Sequence, residues 1–227
     1  MEQQIAFLFD LDGVITDTAR YHYAAWKCLA DTLELHFTQS DNEKLKGISR
    51  IASFDIILQL NDCQNKYTQQ QKEEYANVKN EIYVKMLSAL TANDVLPGIR
   101  ELIASAKQAH ILLAVASASK NAPLVLHQLG LTAAFDYIAD AAQIKHAKPH
   151  PEIFLNCANA LGVRPENCIG FEDAQAGIEA IHAAKMFAVG IGVTVTTQVP
   201  DLALHGTNEL QIDTVLAAMK NPPIVIL

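Results

Sequence analysis

The stretch IAFLFDLDG at residues 5–13 decides the fold, because a short apolar run ends abruptly in two aspartates and a glycine. A continuous apolar run of this length is typical of a strand buried on both faces of a parallel sheet. If that strand continued to Asp12, its period of two would direct Asp10 and Asp12 to one side, and Gly13 would permit a tight turn. Ligands of such sheets bind at the carboxyl ends of strands, so both aspartates are candidate site residues.

Downstream of this strand the pattern of apolar residues changes twice. Between Tyr21 and Leu90 apolar residues recur at helical spacing, and Thr68 with Gln71 has the pattern of a capping box. Beyond the break at residues 96–98, strand-like runs alternate with helical ones. The predicted strands cover 111–116, 137–139, 168–171 and 187–191, and the predicted helices cover 99–106, 122–129, 151–161 and 174–185.

This order predicts an α/β fold, a doubly wound and mostly parallel Rossmann-like core sheet with an inserted all-α helical cap domain. The predicted core takes residues 1–16 and 93–227, and the cap takes residues 17–92. An insertion of about seventy residues is large enough for a small domain. The apolar tail at 224–227 is expected to pack as a final strand.

Charge and cysteine content exclude several classes of function. The chain has 227 residues, half of them hydrophobic, and its 17 basic and 25 acidic residues give a formal net charge of −8. Neither a nucleic-acid footprint nor a polybasic membrane surface fits that charge, so we expect neither kind of partner. The four cysteines form no CxxC pair, which argues against a zinc site and a disulfide framework and favours a reducing, cytoplasmic location. The first apolar run is too short for a signal peptide or a membrane span.

Polar residues follow two more of the predicted strands. SASK at residues 117–120 and Glu172 with Asp173 stand at strand ends, and Lys148 adds a cation in a loop. Each alone has an ordinary interpretation, as a turn, a helix N-cap, a solvated charge or acids that complement a helix dipole. Together with Asp10 and Asp12, and in this order, they favour catalysis.

These residue types suit phosphoryl transfer. A carboxylate is ordinarily ionised at neutral pH, so Asp10 would need no base to attack phosphorus, but it must approach an anionic group. Mg²⁺ held by Asp10 and Asp173, with Glu172 assisting, would neutralise that repulsion, and Lys148 would add a second positive charge. The Ser117 hydroxyl would bond the phosphoryl oxygens and stabilise charge in the transition state.

The motif FDLDGVITDT at residues 9–18 resembles the opening motif of the haloacid dehalogenase-like superfamily, and Ser117, Lys148 and the Glu172-Asp173 pair match its later motifs. The resemblance implies that Asp10 becomes phosphorylated and that Asp12 acts as general acid/base. It also implies one Mg²⁺ per chain, held by Asp10, by the backbone carbonyl of Asp12 and by the later acids.

Within that superfamily the sequence is similar to the β-phosphoglucomutase group, at residues 12–18, 21–27, 45–50, 116–121 and 170–177. The similarity implies interconversion of β-glucose 1-phosphate and glucose 6-phosphate through β-glucose 1,6-bisphosphate, which is also the expected activator. Because this intermediate must turn round, a second phosphate site is needed, and Arg50 is the candidate. The implied substrate-binding residues are Thr18, His22, Trp26, Lys46, Gly47, Ile48, Ser49, Arg50, Ser53, Ser117, Ala118, Ser119, Lys120 and Asn121.

Several alternatives stay open at this point. A sugar-phosphate phosphatase of the same superfamily would share the catalytic residues, and a non-catalytic phosphosugar-binding protein would share the fold. Trp26 can instead be a packing residue of the cap, and His22 can orient Asp12 or help gate the cap. The other histidines show no shared ligand spacing, so they are assigned no metal. The expected partners are small sugar phosphates, and the chain is expected to be a monomer.

Overall fold

The computed structural model describes residues 4–45, 48–195 and 197–220. The predictions for Lys46, Gly47 and the tail at 224–227 lie outside the described residues. By its internal contacts the chain divides into two compact units, one formed by the chain up to Asp17 and from Thr91 onward, the other by Thr18–Leu90. The predicted divisions fell after residues 16 and 92.

The described part of the unit Thr18–Leu90 contains helices joined by loops, and no strand. Its helices are α1 (Ala19–Thr32), α2 (Gln39–Asn42), α3 (Arg50–Gln59) and α4 (Gln69–Leu87). The predicted capping box at the start of α4 is confirmed, since the Thr68 hydroxyl accepts the Gln71 N–H at 3.3 Å and Gln71 Oε1 accepts the Thr68 N–H at 2.9 Å. α1 packs along α4, and Trp26 stacks on Phe54 at the centre of an apolar cluster.

The other unit is built on a parallel sheet, as predicted. Within the described residues its strands are β1 (Ala6–Phe9), β2 (Leu112–Val115), β3 (Tyr137–Ile138), β4 (Cys168–Glu172), β5 (Phe187–Ile191) and β6 (Leu202–Leu204). Their order is β3-β2-β1-β4-β5-β6, and every pair is parallel. Strands β2 and β3 lie on one side of β1, and β4, β5 and β6 lie on the other side, so the sheet is doubly wound.

Helices cover the sheet and bury β1 completely. They are α5 (Ile99–Gln108), α6 (Ala122–Gln128), α7 (Glu152–Leu161), α8 (Gln175–Ala183) and α9 (Ile212–Lys220). Ala6 and Leu8 of β1 belong to the cluster that packs with α7 and α8. Phe7 and Phe9 alternate with them and contact the ring of Phe171 at 5.1 and 4.6 Å between centroids. The continuous apolar run therefore arises because both faces of β1 are covered.

Among the described residues, β6 and α9 are two of the elements that the sequence pattern did not predict. β6 is a three-residue edge strand whose middle residue, Ala203, is exposed, so it lacks the apolar run of the inner strands. α9 buries Val215 alone, which leaves little helical periodicity to detect. No helix in the described ranges combines the length and hydropathy that crossing a bilayer requires.

Candidate active site

A turn after β1 places the two aspartates. β1 ends at Phe9, so the condition under which a strand period would align Asp10 with Asp12 is not met. The chain instead turns back on itself, with the Gly13 N–H donating to the Thr16 carbonyl at 2.8 Å. The Asp12 N–H donates to Asp10 Oδ2 at 3.0 Å, which fixes the orientation of the Asp10 carboxylate. The turn, and not the period of a strand, therefore brings the aspartates together.

Gly13 allows this turn to approach the end of β4. Its φ is +80°, a conformation that side chains disfavour, and a Cβ at this position would lie 2.2 Å from Asp173 Oδ2. The backbone of Asp10 is tied to the same strand, since its N–H donates to the Phe171 carbonyl at 2.9 Å. Asp10 and Asp173 consequently meet at the carboxyl edge of the sheet.

Lys148 lies between two of the carboxylates. Its Nζ is 2.5 Å from Asp10 Oδ1 and 2.7 Å from Glu172 Oε2. Side-chain exposure is 1% for Lys148, 10% for Asp10 and 1% for Glu172. The predicted nucleophile, lysine and acid are therefore assembled in one buried cluster from three distant parts of the sequence.

Burial and charge perturb this cluster strongly. Burial by itself lowers the pKa of Lys148, but the carboxylates of Asp10 and Glu172 outweigh it and raise that pKa above its usual range. Burial, followed by the negative charge of Asp10, raises the pKa of Glu172 well above its usual value. The two carboxylates therefore favour the charged form of Lys148, and the cluster contains more acidic groups than the one lysine pairs with.

The donor set fits a magnesium ion. One carboxylate oxygen each from Asp10, Glu172 and Asp173 lies within 4.8 Å of the others. Mg²⁺ prefers such hard oxygen ligands, and its two positive charges would offset the excess negative charge that Lys148 leaves. Asp12, which was predicted to add its backbone carbonyl, lies beside this set through its hydrogen bond to Asp10.

The loop after β2 carries the predicted serines. Ser117 is buried, and its Oγ accepts the Ser119 N–H at 3.2 Å, while Ser119 Oγ accepts the Asn121 N–H at 3.2 Å. Ala118 and Asn121 are half-buried, and Lys120 is exposed. Since β2 pairs with β1, this loop leaves the same edge of the sheet as Asp10. The hydroxyls order the loop, and neither of them caps α6.

In the helical unit, Thr18 and His22 lie in one buried group. The His22 Nδ1 is 2.8 Å from Lys79 Nζ, and the His22 ring lies 4.1 Å from that of Tyr83 between centroids. The Tyr83 hydroxyl donates to Thr18 Oγ1 at 3.2 Å. Burial, and then the charges of Lys79 and Arg50, hold the pKa of His22 well below its ordinary value, so His22 is neutral at neutral pH.

The remaining predicted residues of this unit have structural roles as well. Trp26 is buried against Phe54, with their rings stacked at 5.9 Å, as the packing alternative required. Ser49 caps α3 by accepting the Ala52 N–H at 3.4 Å, and Arg50 follows as the first helical residue. Ser53 is buried within α3, and Ile48 precedes the cap as a half-buried residue.

Lys79 is a candidate that sequence reasoning missed. It is 2% exposed, and its Nζ lies 4.9 Å from the centroid of the Trp26 ring and 4.8 Å from that of Tyr83. A detectable signal existed, because the buried stripe of α4 runs Ala76, Lys79, Tyr83, Leu87 at helical spacing. A lysine within an apolar stripe is unusual, because lysines are rarely fully buried without a partner.

The comparisons with known proteins agree with this geometry. Residues 6–185 match the model of the haloacid dehalogenase-like hydrolases. The chain belongs to the haloacid dehalogenase-like hydrolase family. It is 43% identical to the β-phosphoglucomutase of Bacillus subtilis (strain 168) over 208 residues. This alignment covers 92% of each of the two chains. The crystal structure of a β-phosphoglucomutase from Clostridium difficile superposes with a TM-score of 0.93 at 45% identity, covering 96% of this chain and 98% of that one.

A phosphatase also appears among the relatives. The fructose-1-phosphate phosphatase of Escherichia coli (strain K12) is 32% identical over 190 residues, 84% of this chain and 97% of its own. The predicted superfamily and the narrower similarity to β-phosphoglucomutases are both confirmed. Haloacid dehalogenase-like enzymes generally use Mg²⁺, in agreement with the carboxylate set at Asp10.

A substitution at Gly177 of α8 tests whether Glu172 takes part in binding Mg²⁺. A Cβ at Gly177 would lie 2.0 Å from Glu172 Cδ, so Gly177→Ala is expected to displace that carboxylate. Loss of a residue that orients a metal ligand commonly costs about 10- to 100-fold in metal affinity, and we expect Mg²⁺ affinity to fall by that factor. Isothermal titration with Mg²⁺ measures it.

The matched control is Gly170→Ala. Its Cβ would lie 2.6 Å from Ile181 Cδ1 in the apolar core, away from the carboxylates. Both variants should lose roughly 1–3 kcal/mol of stability by overpacking. Equal Mg²⁺ affinities in the two variants would show that Glu172 does not take part in metal binding.

The lowered pKa of His22 predicts that the stability of the folded chain depends on pH. Since burial and two nearby cations lower its pKa in the folded chain, the unfolded chain binds this proton more readily. The contribution of His22 to the free energy of unfolding is therefore fully present above about pH 6.5. It is lost as the pH falls below that value, by at most about 1.4 kcal/mol per pH unit. We expect His22→Asn to flatten this dependence between about pH 7.5 and 5.5, as measured by urea unfolding. The exposed-residue variant His127→Asn serves as control and should keep it.

Proposed function

We propose that this chain is a β-phosphoglucomutase that interconverts β-glucose 1-phosphate and glucose 6-phosphate through β-glucose 1,6-bisphosphate. The observation that carries the proposal is the buried cluster in which Lys148 holds Asp10 beside Glu172, with Asp12 bonded to Asp10. The 43% identity to the Bacillus enzyme over 92% of both chains supports the choice of reaction.

Asp10 is proposed to form the covalent intermediate. Its carboxylate is fixed by the Asp12 N–H at one oxygen and by Lys148 at the other. An Asp10 oxygen bonds to phosphorus as the bond from phosphorus to the sugar oxygen breaks. Lys148 offsets the negative charge that gathers at this point, and the Ser117 hydroxyl, on the loop that leaves the same edge of the sheet, is proposed to bond a phosphoryl oxygen. Bound at Asp10, Glu172 and Asp173, Mg²⁺ would screen the repulsion between the carboxylate and the phosphoryl group.

Asp12 is proposed to carry the proton. It gives a proton to the sugar oxygen that leaves phosphorus, and it accepts the proton of the sugar hydroxyl that attacks the phosphoaspartate. The bisphosphate formed between these steps must present its other phosphate to Asp10. Arg50 is proposed to bind the phosphate that is not reacting, because a guanidinium pairs with phosphate oxygens through two hydrogen bonds.

The test follows two products at once. The Mg²⁺-loaded enzyme is mixed with β-glucose 1-phosphate, with and without a trace of β-glucose 1,6-bisphosphate, and glucose 6-phosphate and free phosphate are measured together. We expect rapid glucose 6-phosphate formation that depends on the bisphosphate, with little phosphate released. Phosphate release without isomerisation would instead make the chain a sugar-phosphate phosphatase.

That second function has an observation of its own. The relative from Escherichia coli is a fructose-1-phosphate phosphatase, and the catalytic residues discussed above do not distinguish water from a sugar hydroxyl as the acceptor. Release of phosphate from fructose 1-phosphate at a rate above that of glucose 6-phosphate formation would favour it over the mutase.

A further inference from the structure

A second cluster of ligand-type side chains lies on the segment that carries Lys148. One ligand atom each from His146, His150 and Glu152 lies within 4.8 Å of the other two. His146 Nδ1 is 2.7 Å from Glu152 Oε2, and His150 Nδ1 is 4.0 Å from the same oxygen. The sequence assigns no metal to these histidines, and the structure brings two of them together with an acid.

The carboxylate of this cluster is held in place by the backbone. The N–H groups of Lys145 and His146 each donate to Glu152 at 2.9 Å, one to each carboxylate oxygen. Such hydrogen bonds to a ligand atom orient it for a metal ion. The two imidazole rings stack at 4.4 Å between centroids, with a tilt of 34°. The three side chains are thus already gathered before any ion binds.

We propose that His146, His150 and Glu152 form a site for a divalent transition metal of the Zn²⁺ class. Two imidazoles and one carboxylate are a ligand set that Zn²⁺ binds, whereas Mg²⁺ prefers oxygen donors. The side chains are 62%, 49% and 25% exposed in that order, so water completes the coordination.

The proposed metal ligands flank the catalytic lysine in the sequence. His146 lies two residues before Lys148 and His150 two residues after it. A metal that binds both histidines ties the two sides of the Lys148 segment to Glu152, the first residue of α7. The site shares no residue with the carboxylate set of Asp10, Glu172 and Asp173.

The experiment is a Zn²⁺ titration of the enzyme in excess Mg²⁺, which keeps the carboxylate site filled. Competition with a chromophoric chelator gives the Zn²⁺ affinity, and the ¹⁵N shifts of the imidazole nitrogens identify the ligands. We expect one Zn²⁺ per chain and shifts of the His146 and His150 rings. His146→Gln and His150→Gln should each weaken binding by at least about tenfold, a scale set by changes around metal ligands.

His127→Gln is the matched control, because His127 is also exposed but lies outside the cluster. It should leave the Zn²⁺ affinity unchanged. Circular dichroism of each variant shows that folding is intact. Equal Zn²⁺ affinity in the wild type and in both cluster variants would overturn the proposal, as would imidazole shifts confined to other histidines.

Discussion

Asp10→Asn is expected to lower kcat by on the order of 10⁴-fold or more, as loss of a covalent nucleophile does in other enzymes. The amide keeps the shape of the side chain and can still accept the Asp12 N–H, so the turn after β1 should persist. It has no negative oxygen with which to attack phosphorus. The loss should therefore appear in kcat and leave the fold unchanged.

Two measurements check this expectation. Mass spectrometry of the wild type, quenched during turnover, should find phosphate on the peptide that contains Asp10, and the variant should carry none. Asp140→Asn is the control, because Asp140 also follows a strand of the sheet but is exposed and bonds the N–H of Ala142. An Asp10→Asn enzyme with normal turnover would rule out the nucleophile assignment.

Much of the α/β unit could be predicted because its central strand is buried on both faces. That burial makes the run before Asp10 continuously apolar, and a parallel sheet collects the ends of its strands at one edge. Asp10, Glu172 and Asp173 follow or end strands, so their meeting at that edge follows from topology alone. Lys148 belongs to a loop, and its position was implied by resemblance and not by periodicity.

The predictions failed where three-dimensional contacts act without a sequence period. The hydrogen bonds that turn the chain after Phe9 involve backbone groups, which carry no residue signal beyond Gly13. His146 and His150 are four residues apart, but they belong to an irregular segment and not to a helix, so their spacing alone does not predict that they meet Glu152. Lys79 was missed for a different reason. Its position belongs to the buried stripe of α4, but a lysine there breaks the apolar pattern by which such a stripe is recognised.

Lys148→Met is expected to reduce kcat by about 10²- to 10³-fold, the scale for losing one group that stabilises transition-state charge. Methionine fills similar volume but leaves Asp10 and Glu172 buried without their shared cation. Removing one partner of a buried ion pair costs about 3–5 kcal/mol. Because burial already raises the pKa of Glu172, that carboxyl can take up a proton, and we expect the lower end of this range.

Adding Mg²⁺ distinguishes the effect of Lys148 on stability from its effect on catalysis. If Mg²⁺ binds the same carboxylates, it should restore part of the lost stability but little of the activity, since its charge stands in for that of the lysine while its position differs. Urea unfolding and kcat, each with and without Mg²⁺, measure the two effects. Lys145→Met is the control, because Lys145 is exposed on the same segment. A stability loss of equal size with and without Mg²⁺ would show that the ion does not bind the carboxylates Lys148 contacts, and normal kcat in Lys148→Met would remove the lysine from the chemistry.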